Sequence, residues 1–141
     1  MLPWLPLAVL IAVALGGYHV LLKLSSAHID QVLGAVVLQL VAAMLGGSVL
    51  AAMACRGQAL AVTPRGMGLA AAAGLCVGAA EVLSFWLFSA GVPASRGVPV
   101  VVGGSILVAA LLGVLALHEP LSPTQWLGVG LIIAGVAALG R

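Results

Sequence analysis

The scarcity of charged side chains is the feature that most constrains how this chain can fold. Its 141 residues include five Lys or Arg and three Asp or Glu, whereas 64% of the residues are hydrophobic. A soluble domain carries about 25% charged residues, so this chain cannot cover a water-facing surface. The composition therefore predicts an integral membrane protein.

Five apolar runs predict five transmembrane helices, because about 20 apolar residues span the hydrocarbon core as a helix. The alternation of apolar and polar positions that is typical of membrane barrel strands is missing. The predicted spans are residues 4–24, 32–54, 66–91, 98–117 and 124–140, with ends set to within about 2–4 residues. The connections are too short for a soluble domain. Residues 1–141 are therefore predicted to form one all-α membrane domain.

Local signals mark two helix starts. Asp30 is predicted to cap the second helix, and Ser122 with Gln125 has the spacing of a capping box at the start of the fifth.

The first run could instead be a signal peptide with Ala12-Val13-Ala14 as a cleavage site, although no Lys or Arg precedes it and it continues apolar to Leu22.

The cations favour neither orientation clearly. In a five-span topology, Arg56 and Arg65 lie on the side of the N-terminus, and Lys23, Arg96 and Arg141 lie on the other side. Because orientation follows the Lys and Arg bias of short loops, this balance leaves two hypotheses open. Copies insert in both directions, or one orientation is set by other factors.

Polar and small residues recur at helical spacing on three spans, and we expect these stripes to face one another. A polar side chain in a membrane helix usually faces the protein interior or a water-filled path. The first stripe is Ala12, Gly16, His19 and Lys23; the second is Ala35, Gln39, Ala42 and Gly46; the third is Gly74, Gly78, Glu81, Ser84 and Phe88.

Glu81 is the predicted centre of a binding site. It and His19 each lie about 15 residues, or roughly 22 Å, from the same membrane face, so they share a depth. Glu81 is expected to bind substrate or a proton, with His19 as a titratable partner; the alternative is a Glu–His pair that only fixes helix packing. Lys23 is expected near the far interface. Gln39 and Ser105 are expected to offer hydrogen bonds in a cavity lined by helices one, three and four.

We expect the remaining notable residues to anchor helix ends at the membrane interface or to fill apolar space, and not to take part in chemistry. Trp4, Trp86 and Trp126 lie near span ends, where aromatic belts form. Cys55 and Cys76 are separated by about 15 Å of helix, which predicts that they are not bridged. The sequence carries no metal-ligand spacing, catalytic triad or phosphate-binding loop, so we expect no enzymatic activity, cofactor or nucleic-acid partner.

Short motifs near the end of the chain form a recognisable pattern. They are Leu117-His118-Glu119-Pro120-Leu121-Ser122-Pro123, Trp126, Gly128 and the run 131–136, with further matches at Phe85-Trp86-Leu87, Val92-Pro93 and Leu21-Leu22-Lys23. This pattern resembles the end of an EamA-type domain of the drug/metabolite transporter superfamily. Transporters of that superfamily resemble two five-helix repeats in opposite orientations, with the substrate path between them. The resemblance implies that this chain is one repeat, and that a second copy completes an alternating-access transporter.

The chain is also similar to the four-helix small multidrug resistance proteins, which pair head to tail through a glycine heptad on the last helix. Gly128 and Gly135 match that pattern, which implies a dimer interface. The coupling glutamate of that family aligns with Leu15, and its aromatic cation-binding pair aligns with Val98 and Val101. Coupling to protons would therefore require that Glu81 has taken over the acidic role.

Three hypotheses for function remain. The first is movement of a small polar or amphipathic solute by a homodimer, parallel or antiparallel, in the bacterial inner membrane. The second is flipping of an undecaprenyl-phosphate-linked (amino)sugar, because the tail from His118 to Val129 and the proline at Pro99 are similar to aminoarabinose-lipid flippase subunits. The third is a non-transporting membrane subunit that stabilises a partner.

Overall fold

The chain is all-helical in a computed structural model that describes residues 4–139. Its five helices are α1 (Trp4–Ser25), α2 (Gln31–Cys55), α3 (Pro64–Ser89), α4 (Ala94–Ala116) and α5 (Pro123–Leu139). Helices α1 to α4 are long and apolar enough to cross a membrane, and α5 is an apolar helix of 17 residues, at the lower end of the range of about 17–25 for a span. The five-helix membrane fold is thus confirmed. The predicted end of the last span at residue 140, and Arg141, lie outside the described residues.

Side-chain caps set where α2 and α5 begin. The Asp30 carboxylate accepts from the backbone N–H groups of Val32 and Leu33 at 3.0 and 3.1 Å. Ser122 and Gln125 form the reciprocal pair of a capping box, with the Ser122 N–H donating to the Gln125 side chain at 2.7 Å. Both predicted caps are confirmed, because each satisfies backbone donors that have no partner within the helix.

The largest differences at helix starts are those of α3 and α4, which begin two and four residues before the predicted spans. Helix α3 begins at Pro64, since the Thr63 hydroxyl accepts from the N–H of Gly66 and Pro64 occupies the first turn. Helix α4 begins at Ala94, after Pro93, and Pro99 lies inside it. The predicted span began at residue 98, next to Pro99, whereas the helix begins directly after Pro93.

The helices form two units, one of α1 to α3 and one of α4 and α5. In the first unit the buried side chains collect where α1 ends, α2 begins and α3 ends. They are Leu22, Ser26, Ala35, Phe85 and Phe88. By contrast, every residue from 41 to 77 is exposed. This unit is therefore packed at one end, and at the other it presents apolar surface that lipid or another chain must cover.

The second unit is held by close contact between α4 and α5. Gly103 is buried, and a Cβ atom at this position would collide with the Cγ2 methyl of Val136 and lie 3.5 Å from that of Ile132. Small residues allow helix backbones to approach where lipid gives no hydrophobic drive for association. The Arg96 guanidinium donates to the carbonyl of Leu139 at 3.4 Å, which adds a polar tie at the end of α5.

Candidate functional site

One face of α3 contacts α2 through Gly78 and Phe85, which are two turns apart. A Cβ atom on Gly78 would lie 3.4 Å from Nε2 of Gln39, so the Gln39 amide lies directly against the α3 backbone. Gly34 lies nearer to the start of α2 than Gln39 does. A Cβ atom on Gly34 would lie 2.5 Å from Cε1 of Phe85. The Phe85 ring, which is 2% exposed, therefore occupies the space that the missing Gly34 side chain leaves.

The same face of α3 contacts α1 through Glu81 and Phe88. The Tyr18 hydroxyl donates a hydrogen bond to Oε2 of Glu81. Further along both helices, the Lys23 ammonium donates to the carbonyl oxygen of Phe88 at 2.8 Å and lies 5.9 Å from the centre of the Phe88 ring. The two contacts occur in the same order along α1 and α3, so the helices run in the same direction, as predicted for the first and third spans.

In the structure the hydrogen-bond partner of Glu81 is Tyr18, and the role of His19 as a titratable partner stays a prediction. The His19 Nδ1 donates instead to the carbonyl of Leu15, one turn back in α1, at 2.7 Å. Its ring lies 4.6 Å from the Tyr18 ring, centre to centre, at an angle of 60°. The depth argument was sound, but consecutive residues of a helix point about 100° apart, and the side chain that points toward α3 is the neighbour of the predicted one.

Lys23 caps α3. Helix α3 ends at Ser89, and its last carbonyls have no partner within the helix. The Lys23 ammonium supplies a donor to one of them, the Phe88 oxygen. A cation is also favoured at a helix C-terminus, where the peptide dipoles leave partial negative charge. Lys23 therefore joins α1 to α3 within the unit, beyond the headgroup contact that was predicted for it.

The predicted residues of the second unit are not engaged with other side chains. The Ser105 hydroxyl donates to the Val102 carbonyl of its own helix at 2.8 Å. On α5, no atom beyond the helix backbone lies within 4 Å of a Cβ atom placed on Gly128 or Gly135. The roles of Ser105 in a cavity and of the two glycines at a dimer interface stay predictions.

A cavity of about 350 Å³ lies between α1 and α2, with α3 at one side. Its lining is mostly aliphatic and includes Tyr18 and Phe85 as the aromatic side chains and Ser25 as a second hydroxyl. The aliphatic lining residues are Leu21, Leu22, Ile29, Val37, Leu38 and Val41. Glu81 precedes Phe85 by one helical turn on the same face of α3, and Tyr18 both lines the cavity and binds Glu81. Tyr18 therefore connects the cavity lining to the Glu81 carboxylate, which is not itself part of that lining.

Sequence reasoning missed Tyr18, although a signal was available. It is the single tyrosine of the chain, and a buried tyrosine hydroxyl in an apolar helix needs a hydrogen-bond partner. Tyr18 and His19 are neighbours on α1, so counting residues along the helix places both at the depth of Glu81. The depth argument therefore applied to Tyr18 as well as to His19.

The other predicted features lie at the surface of the described residues. Cys55 and Cys76 are free thiols, as expected. Trp4 and Trp86 are 77% and 52% exposed, which suits side chains that anchor span ends. Among residues 4–139, no cluster of three His, Cys, Asp or Glu side chains is placed to hold a metal ion.

Comparison with known proteins places this arrangement in a family. One curated relative, an uncharacterized transporter, YwfM, of Bacillus subtilis (strain 168), is 38% identical over 78 residues, which make up 55% of this chain and 26% of that protein. The matched segment thus spans about a quarter of the relative, which is about twice as long as this chain. No solved structure matches the chain. The EamA-like transporter family matches residues 2–141, and the chain therefore belongs to that family of the drug/metabolite transporter superfamily.

Proposed function

We propose that this protein moves a small polar or amphipathic solute across the membrane, with Glu81 as the group that binds the solute or a proton. The observation that carries the proposal is the hydrogen bond from Tyr18 on α1 to the Glu81 carboxylate on α3, beside an apolar cavity. Membership of the EamA-like transporter family supports transport as the activity.

The cost of placing Glu81 in a membrane helix argues for a function. A charged residue at the centre of a membrane helix costs about 2.5–3.5 kcal/mol on insertion scales, and this is an upper bound for Glu81, which is the eighteenth of the 26 residues of α3. A single hydrogen bond of about 0.6 kcal/mol, the average measured between membrane helices, offsets only part of that cost. Packing alone would be served as well by an apolar residue, so a carboxylate at this position is best explained by reversible binding of a proton or a solute.

Reconstitution tests the proposal directly. Purified protein is placed in liposomes that contain a pH-sensitive dye, and single solutes are added in turn: organic ammonium compounds, amino acids, sugars and carboxylates. We expect at least one class to cause proton or solute movement that protein-free liposomes do not show. If every class is inert, and the protein instead increases the yield of a co-purified membrane partner, a non-transporting subunit is the better account.

The aliphatic lining of the cavity favours flipping of a lipid-linked sugar as a second candidate, because an isoprenoid or acyl chain would pack well against it. The same liposomes, loaded with a fluorescent undecaprenyl-phosphate sugar in one leaflet, separate the two. Accelerated exchange of that lipid between leaflets, without movement of any water-soluble solute, would support the flippase.

A homodimer in the bacterial inner membrane, antiparallel where copies insert in both directions, would supply the second repeat. The open faces of Gly128 and Gly135 on α5 leave room for a neighbouring helix, and the relative is about twice as long as this chain. We expect terminal tags on both sides of the membrane and expect Gly135→Leu to reduce the yield of cross-linked dimer.

Adding four Lys beside Arg56 should bias most copies to one orientation, because it changes the predicted count from two cations against three to six against three. If the dimer is antiparallel, this variant transports poorly by itself and recovers when it is expressed with a copy of opposite bias. Full activity of the biased variant alone would contradict the antiparallel dimer and favour a parallel pair or a separate partner chain.

A further inference from the structure

The cavity of the first unit is long and narrow. Helices α1 and α2 each pack against α3, and the cavity separates α1 from α2. Its lining runs from Tyr18 to Ser25 on α1 and from Val41 to Gly34 on α2. Each stretch rises about 10 Å, so the volume of about 350 Å³ leaves a cross-section of about 35 Å². A helix with its side chains is about 10–12 Å in diameter, or about 80–110 Å² in cross-section, so a helix of a partner cannot lie inside the cavity.

The cavity opens toward lipid along its length. Leu22 and Phe85 are both 2% exposed and form its base, whereas Leu21 and Val41 are 67% and 61% exposed and form its rims. Helices α1 and α2 are both long and apolar enough to cross a membrane. The rims therefore face hydrocarbon chains, and a lipid tail can enter from the side without leaving an apolar environment.

The two ends of the cavity differ in polarity. Ser25 is the last residue of α1 and Ile29 lies in the connection to α2, so this end is at the boundary of the membrane. The Ser25 hydroxyl can donate a hydrogen bond there to an ester or phosphate oxygen. The other end lies about 10 Å deeper; Tyr18 lines it, and its hydroxyl is bound to Glu81. The cavity is thus polar at the surface and apolar inside, which is the order of groups in a phospholipid.

We propose that the cavity holds one acyl chain of a membrane phospholipid, with the ester of that chain at Ser25 and its middle against Tyr18. The cross-section suits a single alkyl chain and excludes a helix of a second copy. The lipid stays bound while a solute moves, so it forms part of the wall of the first unit and is not the cargo. The proposal goes beyond the transport function and holds whichever solute is moved.

Two phosphatidylcholine probes test the proposal. One carries a diazirine near the ester of its chain, and the other carries it near the middle of the chain. The protein is reconstituted with a probe, extracted into detergent to remove loosely held lipid, and irradiated, and mass spectrometry of its fragments locates the label. We expect the first probe to label Ser25 and Ile29 and the second to label Leu21 and Val41.

Leu40 is the matched control for labelling, because it is 59% exposed beside Val41 at 61% and does not line the cavity. The second probe should label Val41 several-fold more than Leu40. Equal labelling of the two residues, or no retained probe at either, would reduce the cavity to ordinary lipid-facing surface and overturn the proposal.

Native mass spectrometry of the extracted protein counts the retained lipid. We expect the parent to carry one phospholipid per chain, and Val37→Phe, which fills the cavity, to lose it. Val36→Phe is the matched control, because Val36 and Val37 are 47% and 45% exposed and only Val37 lines the cavity. Equal retention by the two variants would contradict the assignment. A cavity that resists both probes, with a lower yield of cross-linked dimer for Val37→Phe, would identify a second copy as the occupant and overturn the proposal.

The outcome for the lipid site is separate from that for transport. Movement of a solute by protein that retains no phospholipid would overturn the lipid site alone and leave the transport function standing. Retention of one phospholipid at the cavity by protein that moves no solute would instead support the site and contradict transport.

Discussion

Glu81→Gln is expected to lower transport about 10- to 150-fold and to leave a flat dependence on pH. That range corresponds to the loss of one charge-assisted hydrogen bond of about 1.5–3 kcal/mol. The fold should persist, because glutamine keeps the shape of the side chain and its amide oxygen still accepts from the Tyr18 hydroxyl. Initial rates in liposomes across a series of pH values, at equal reconstituted protein, measure the effect.

Glu119→Gln is the matched control, since it makes the same chemical change in the connection between α4 and α5. Its rate and pH profile should equal those of the parent. Parent-like transport by Glu81→Gln at every pH would remove Glu81 from the mechanism and leave the Tyr18–Glu81 hydrogen bond as a packing contact.

Gly34→Ala is expected to destabilise the first unit by about 1–3 kcal/mol, the cost of overpacking a filled site. The added methyl group would lie 2.5 Å from Cε1 and 2.7 Å from Cζ of Phe85. The ring is buried, so it has little room to turn away. Unfolding by titration with a denaturing detergent, followed by helical circular dichroism, measures the change.

Gly46→Ala supplies the control on the same helix, where a Cβ atom meets nothing within 4 Å. It should be neutral or stabilising, because alanine is favoured over glycine in helices by about 0.8–1 kcal/mol. Phe85→Leu removes the two ring atoms nearest to the new methyl, so the double variant should lose less stability than the two single changes predict. If Gly34→Ala unfolds like Gly46→Ala, α2 and α3 do not meet as described.

The helices and most of their ends were predictable because their causes are local. A run of apolar residues long enough to cross the bilayer, and caps such as Asp30 and the Ser122–Gln125 pair, act within a few residues of the chain. The early starts of α3 and α4 were missed because Thr63 and Pro93 provide the start several residues before the apolar run. The family, too, follows from short motifs near the end of the chain.

The site was predictable in part. Glu81 could be identified because an acidic residue in an apolar span is rare, and its depth follows from counting residues along straight helices. Gln39 was correctly placed on the face of α2 that meets α3. The identity of the Glu81 partner could not be obtained in this way, because depth does not distinguish Tyr18 from His19.

Residue order alone thus settles which segments form the apolar helices and which side chains cap them, since these depend on length, hydropathy and capping. The depth of the Glu81 carboxylate in the membrane stays a prediction. Tertiary packing decides the rotation of each helix about its axis. In α1 to α3 that rotation follows from the fit of Phe85 against Gly34 and of Lys23 against the Phe88 carbonyl. The observed rotation of α1 turns Tyr18 rather than His19 toward Glu81. A rotation of about 100° would exchange these neighbouring side chains. Hydropathy does not choose between the two rotations, because the helix is apolar on every side.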